Sequence, residues 1–271
     1  MGQSKQWVEE EVRVGPKMPC EQNRLFIDSR GANHLYLDIY FRIFRVTLQV
    51  IMIIAIDGPA GSGKSSTARA VAARLGITYL DTGAMYRAVT LKALRQGVPF
   101  DDDQALDRIM QETVIGFEGV APDTRIIMDG EDVSEEIRGN EVTRNVSDYC
   151  ARDVVRKSLV DQQRAVASGQ SVVCEGRDIG TVVFPHAQLK IFMIASAEER
   201  ARRRQKDFLR MGVTKSVEEL VEEIEARDHK DSTRRNSPLL KADDAVEMDT
   251  TGMTLEEQIT YIVNRASPFF R

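Results

Sequence analysis

From Ile51 onward the chain alternates short, continuous apolar runs with longer stretches whose apolar residues recur every three or four positions. The run Ile51-Met52-Ile53-Ile54-Ala55-Ile56 predicts a strand covered on both faces, as in the middle of a parallel sheet. Further runs at Ile77–Leu80, Ser171–Cys174, Leu189–Ile194 and Ala245–Met248 predict four more strands. Between them, Lys64–Leu75 carries Ala and Val at helical spacing and stops before Gly76, a residue suited to a helix C-terminus. A second helix is expected from about Ala84 to Leu94. A last one starts at Thr254, where Thr254 and Glu257 match a capping box. Strands interleaved with helices in this way imply an α/β fold with an open, doubly wound sheet.

Two stretches break the alternation. Thr113–Asp129 alternates apolar and polar residues around the turn-like Ala121-Pro122-Asp123-Thr124, which predicts a small antiparallel hairpin. Glu198–Arg235 is highly charged and reads as a helical pair joined near Met211-Gly212.

Residues 1–50 mix Gly, Pro, charges and aromatics without steady periodicity, with a loop at Arg30-Gly31-Ala32-Asn33. Met52 directly precedes the first clear strand. Translation starting there, with residues 1–51 a leader, is one expectation, and a genuine N-terminal extension is the other. The most apolar run, Leu35–Ile56, is interrupted by Asp38, Arg42 and Arg45, and its clean part is too short for a bilayer. The acidic Trp7–Arg13 start does not read as a secretory signal, so the expected location is the cytoplasm. The formal net charge of −5 argues against a protein devoted to nucleic acid. Cys20, Cys150 and Cys174 are too few and scattered for a disulfide framework or a zinc cluster.

The first candidate chemistry lies between the first strand and the first helix. Gly58-Pro59-Ala60-Gly61-Ser62-Gly63-Lys64-Ser65 fits the phosphate-loop pattern G-x-x-x-x-G-K-[ST]. Glycines let the backbone curl so that successive N–H groups point at phosphate oxygens. Lys64 would reach the β- and γ-phosphates, Ser65 would offer a hydroxyl to Mg²⁺, and Ser66 continues the helix N-terminus whose dipole favours anions. Four fixed positions arise by accident roughly once in a hundred chains of this length, and the preceding strand and following helix make accident rarer still. The chain has neither an Asn-Lys-x-Asp base-reading motif nor a Ser-Gly-Gly signature, which speaks against a GTPase switch and an ABC-type ATPase.

Two further motifs follow strands, and in open α/β sheets ligands gather at the carboxyl ends of strands. Asp81-Thr82-Gly83-Ala84-Met85-Tyr86-Arg87 follows the second; helix capping explains Asp81-Thr82 equally well. Cys174-Glu175-Gly176-Arg177-Asp178-Ile179-Gly180 follows the third. There Arg suits a bidentate grip on phosphate and Asp can accept from an amino group; a local salt bridge is the plainer alternative.

From about Met52 to the C-terminus the chain resembles bacterial cytidylate kinases of the nucleoside monophosphate kinase family. The segments that carry the likeness are GPAGSGKSSTA, LDTGAMYRA, EDVSEEIR, VRKSLVDQQR, EGRDIGTVVFPHA and RDHKDSTRRNSPL. The resemblance implies a P-loop kinase core with a five-stranded parallel sheet flanked by helices, an antiparallel insert at about 113–140 and a helical lid at about 198–236. It also implies ATP-dependent phosphorylation of CMP and dCMP with Mg²⁺. Thr82, Arg156 and Asp178 would read the cytosine edge, while Arg87 and Arg177 would hold the acceptor phosphate beside Tyr86. Ser147, Arg227 and Asp231 would contact the sugar, and Arg234 would join Arg227 over the transferring phosphate. Arg200, Arg202, Arg203 and Arg204 would lie near ATP, a solvated helix face being the alternative for most of that run. Glu175 and Thr82 stand where the family often has Asp and Ser. Partners are small molecules, with no nucleic acid and no membrane, and a monomer is expected. A kinase for another small acceptor and an ATP-binding regulator without transfer are the rival readings.

Overall fold

The computed structural model describes residues 51–270, apart from 120 and 211; residues 1–50, with their loop and the start-site question, lie outside that range. The first apolar run forms β1 (Ile53–Asp57), paired in parallel with β6 (Val172–Gly176) on one side and β7 (Leu189–Ile194) on the other. β2 (Thr78–Asp81) and β8 (Val246–Asp249) complete a parallel five-stranded sheet in the order β2-β6-β1-β7-β8. All five expected strands are present, displaced by two residues at most. The continuous apolar runs follow from a sheet buried on both sides: Ala55 packs into one core layer, while Ile54 and Ile56 pack into the other.

The second layer holds α1 (Lys64–Leu75), which ends in left-handed Gly76, and α8 (Leu255–Ala266), started by the Thr254–Glu257 capping box. Val71, Val173, Ile191, Met193 and Ile262 are fully or almost fully buried between these helices and the sheet. The opposite layer contains α2 (Thr82–Arg95), α3 (Asp103–Glu112), α4 (Asn140–Cys150) and α5 (Asp153–Val166). Met85, Val89, Leu106, Ile109 and Leu159 fill that core.

The hairpin is present and larger than its pattern: β3 (Ile115–Glu118), β4 (Arg125–Met128) and the two-residue β5 (Glu131–Asp132) form an antiparallel sheet. Its Ile126 and Met128 cover Ala84, Ala88 and Leu91 of α2, so the insert is seated on the helix that follows β2. The charged pair forms α6 (Ala197–Arg210) and α7 (Val217–Thr233). Ala201, Phe208, Leu220 and Ile224 give the pair an apolar contact of its own.

Candidate active site

The phosphate loop turns between β1 and α1. Gly58, at φ 149°, passes so close to β7 that a Cβ there would lie 2.1 Å from the Met193 carbonyl oxygen; no other residue fits. Lys64 is 5% exposed, and its Nζ donates to Pro59 O at 2.8 Å and to Ser62 Oγ at 3.4 Å. Burial, aided by the positive charge of Arg177, lowers its pKa to about 7, against the opposing pull of Glu175 and Asp57. An ammonium held this way lacks a counter-anion, which a triphosphate would supply.

Two side-chain systems brace the loop from the far half of the sheet. Arg203 donates to Ser62 O at 3.1 Å and to Thr250 O at 2.6 Å, and Thr250 Oγ1 donates to Ser62 O at 3.1 Å. The Ala60 peptide is gripped on both sides: its N–H donates to Asp228 Oδ1 at 3.1 Å, and its carbonyl accepts from Arg200 Nη1 at 3.1 Å. Arg200 and Asp228 are themselves ion-paired, α6 to α7. Through this clamp α6 and α7 rest directly on the loop.

Beside the loop, Ser65 Oγ donates to Glu175 Oε1 at 2.6 Å. Glu175 is buried at the carboxyl end of β6, and burial followed by the charge of Asp81 raises its pKa. Two adjacent hard oxygens at the phosphate loop, one on a carboxylate whose charge lacks solvation, suit a magnesium ion that takes its remaining ligands from water and phosphate.

A second cluster begins where β6 ends. Arg156, from α5, is ion-paired with Asp178, and both are about 5% exposed. Arg156 also lies over the ring of Tyr86, 5.3 Å from its centroid. Arg234 completes the group, with Nη2 3.9 Å from Asp178 Oδ1 and Nη1 3.9 Å from Asp231 Oδ1. Arg177 Nε donates to Asp231 Oδ2 at 2.9 Å, and Arg227 Nε lies 4.0 Å from the same oxygen. Burial, then Arg177 and Arg87, pushes Arg227 down to about 10. Burial alone would raise Asp231, but Arg177, Arg227 and Arg234 hold it below the usual carboxylate range. Four buried polar atoms in this cluster have no hydrogen-bond partner among the described residues: Tyr86 Oη, Arg156 Nε, Arg227 Nε and Arg234 Nη2. Unsatisfied donors this deep are costly, which marks a place built to receive acceptors.

Most of the expected residues converge. Thr82 is the first residue of α2, and its hydroxyl donates to Glu175 O at 2.7 Å, leaving its lone pairs free; the capping role belongs to Asp81, which accepts from Ala84 N at 2.9 Å. Arg87 is held from two sides, donating to Ile137 O of the insert at 3.2 Å and to Thr143 Oγ1 of α4 at 2.9 Å. Ser147 is half-buried on α4, and Ser66 is exposed at the start of α1. Arg234, expected over the transferring phosphate, lies beside Asp178 and Asp231, the latter shared with Arg177 and Arg227. Of the arginine run, Arg200 and Arg203 bind the phosphate loop and Arg202 is exposed. Arg204 is close enough to Arg87 and Arg227 to lower both. Sequence reading missed two roles: Glu175 as the partner of Ser65, and Asp228 in the loop clamp. A carboxylate at the end of the strand next to the phosphate-loop strand was a usable signal for the first. Nothing in the spacing of Asp228 marked the second.

A family model for cytidylate kinase matches residues 54–267. The cytidylate kinase of Leuconostoc mesenteroides subsp. mesenteroides is 46% identical over 211 residues, covering 78% of this chain and 94% of that protein. That of Pediococcus pentosaceus is 48% identical over 217 residues (79% and 96%), and that of Desulforamulus reducens 50% over 210 residues (78% and 94%). Among solved structures, a gluconokinase from Sinorhizobium meliloti 1021 aligns over 82% of this chain and 95% of its own at 15% identity and a TM-score of 0.39, too loose to carry weight. With a family model spanning most of its length and relatives this similar over more than nine-tenths of theirs, the chain belongs to the cytidylate kinase family.

Proposed function

We propose that this protein transfers the γ-phosphate of ATP to CMP and dCMP, giving ADP and CDP or dCDP. The observation that carries the acceptor assignment is the buried Arg156–Asp178 pair with Tyr86 and Arg234 around it. Cytosine offers a donating amino group beside an accepting ring nitrogen and carbonyl, so a carboxylate and a guanidinium side by side answer both halves of its edge. Uracil reverses part of that pattern and would leave buried groups unpaired, which can reject it strongly. Thr82 supplies a further acceptor, and Ser147, Arg227 and Asp231 serve the sugar.

Arg87 and Arg177 orient the acceptor phosphate, whose oxygen is already anionic and needs no protein base. That oxygen attacks the γ-phosphorus as the bond to the β-phosphate oxygen breaks and ADP leaves. Lys64, Arg204 and Arg227 stabilise the charge spread over the transferring group, and Gly58–Ser66 hold the donor phosphates. Ser65 and Glu175 would hold Mg²⁺, which would offset the negative charge of the triphosphate. Closure of the lid keeps water from the γ-phosphate. In this reading residues 52–271 are the catalytic unit, acting as a cytoplasmic monomer. Among the described residues no helix is long and apolar enough to cross a membrane.

The test is ADP release with Mg·ATP and CMP, dCMP, UMP, AMP or GMP as acceptor. Fast turnover with both cytidine nucleotides and far slower turnover with UMP is the expected result. Equal rates with UMP would overturn the roles given to Arg156 and Asp178. ATP binding with no ADP from any acceptor would overturn the kinase reading.

A further inference from the structure

Asp57 closes β1 immediately before the phosphate loop and is 5% exposed, and both of its carboxylate oxygens are taken up by the backbone that follows β6. Oδ1 accepts from the Ile179 N–H at 2.8 Å and Oδ2 from the Gly180 N–H at 2.7 Å. Those two amides open a single π-helical turn, Ile179–Val183, that starts directly after Arg177 and Asp178. Within the turn, Val182 and Val183 donate to Asp178 O at 2.8 and 3.2 Å, and Phe184 donates to Ile179 O at 2.7 Å. A π turn is a poor helix on its own and tends to mark functional sites. Here its free N-terminal amides, which have no intrahelical partner, are satisfied by a carboxylate more than a hundred residues away in the chain. The backbone carrying the base-reading Asp178 and the phosphate-holding Arg177 is thereby fixed to the strand that carries the phosphate loop.

We propose that Asp57 is a positioning residue for acceptor recognition: it holds the Arg177–Asp178 turn in register with the phosphate loop without touching either substrate. The inference rests on the cytidylate kinase reading above and adds a residue and a pH dependence to it. The groups facing Asp57 are Lys64 from α1, Cys174 from β6, Asp178 from the turn and Lys190 from β7. Burial is the main influence and, with Asp178, raises the carboxyl to about 6, against the two amide bonds and Lys64. Protonation turns one accepting oxygen into a hydroxyl aimed at an N–H, so the clamp loosens as pH falls through that value.

The test compares the full-length enzyme with Asp57→Asn, which keeps one acceptor and places an amide NH₂ against the other N–H. Leaving one buried amide unsatisfied is expected to raise KM for CMP about tenfold, to narrow the CMP-over-UMP preference, and to leave KM for ATP within about twofold. Backbone amide resonances of Ile179 and Gly180 in the substrate-free protein should shift with a midpoint near pH 6 in the wild type and not in the variant. The phosphate of CMP ionises near the same pH, but it does so identically for both enzymes, so only their difference is read. If Asp57→Asn does not fold, Gly180→Ala disturbs the same contact from the other side, since its Cβ would stand 3.4 Å from Asp57 Oδ2 and 3.1 Å from Lys190 Cδ. An unchanged KM for CMP, or equal losses for CMP and ATP, would overturn the proposal, as would amides that do not respond to pH. The amide titration needs no turnover, so a wild-type enzyme inactive on CMP would defeat the functional reading and leave this measurement to stand or fall alone.

Discussion

Replacing Lys64 with methionine should stabilise the nucleotide-free protein while removing nearly all turnover. The lysine is 5% exposed and its pKa falls from 10.5 to about 7. At about 1.4 kcal/mol per pH unit, that displacement corresponds to roughly 5 kcal/mol of preference for the neutral amine in the fold. The folded form binds this proton less tightly than the unfolded chain. The cost is therefore complete below pH about 7, shrinks as pH rises toward 10.5 and disappears above it. Methionine removes the charge and keeps most of the volume, but it orphans Pro59 O, which accepts from Nζ at 2.8 Å, for about 1–3 kcal/mol. A net gain of about 2 kcal/mol or more at pH 6 would raise the midpoint of thermal unfolding by roughly 4–8 °C in a domain of this size, and the gain should fade at pH 10. Turnover should drop by about 10²–10³-fold or more, the usual loss of one preorganised charge-stabilising donor. The companion assay is calorimetric titration of ATP in buffers of different ionisation enthalpy. At pH 8 the wild type should take up close to one proton, and Lys64→Met none. A wild type that binds ATP at pH 8 without proton uptake, together with a variant of lower melting temperature at pH 6, would refute the reasoning.

Three other outcomes follow from contacts already described. Glu175→Gln should raise the Mg²⁺ concentration giving half-maximal rate about tenfold with KM for CMP unchanged, read from metal titrations of initial rate. Gly58→Ala should cost at least about 3 kcal/mol, because its Cβ meets a β7 carbonyl 2.1 Å away; denaturant unfolding measures it, and a loss under about 1 kcal/mol would contradict the close approach. Asp228→Ala strips Arg200 of its partner and frees the Ala60 amide, so hydrogen exchange in α7 should quicken while β1 and β6 hold. Uniform exchange across the whole fold would contradict the clamp.

The sheet was readable because each strand lies between two helical layers and so must be apolar on both faces. The phosphate loop was readable because its requirements, tight glycine turns and a lysine at fixed spacing, are local. α3, α4 and α5 drew no assignment, although apolar residues recur at helical spacing in each (Leu106, Ile109 and Met110 on α3, Val142 and Val146 on α4, Val155, Leu159 and Val160 on α5) and were a usable signal. The π turn at Ile179–Val183 was invisible because its amides are satisfied by Asp57, far away in the chain. Motif and likeness together pointed to residues that cluster in the fold, but the place of Arg234 depends on how the end of α7 returns to Asp178, and Arg87 is aimed by Ile137 O of the insert and Thr143 of α4. Those are facts of docking, which no local pattern encodes.

The order β2-β6-β1-β7-β8 divides labour across the molecule. The strand bearing the phosphate loop is central. Arg200, Arg203 and Thr250, which grip the loop, follow β7 and β8, and Arg87, Arg177 and Asp178 follow β2 and β6, while α7 reaches from the β7 side to both, with Asp228 on the loop and Asp231 on Arg177. The two halves therefore meet in α7, and a change on one side of that helix reaches the other. A designer seeking a different acceptor would rebuild the loops after β2 and β6 together with the C-terminal turn of α7. The insert, seated on α2 and bonded to Arg87 through Ile137 O, belongs to the β2–β6 edge and would have to be rebuilt with it.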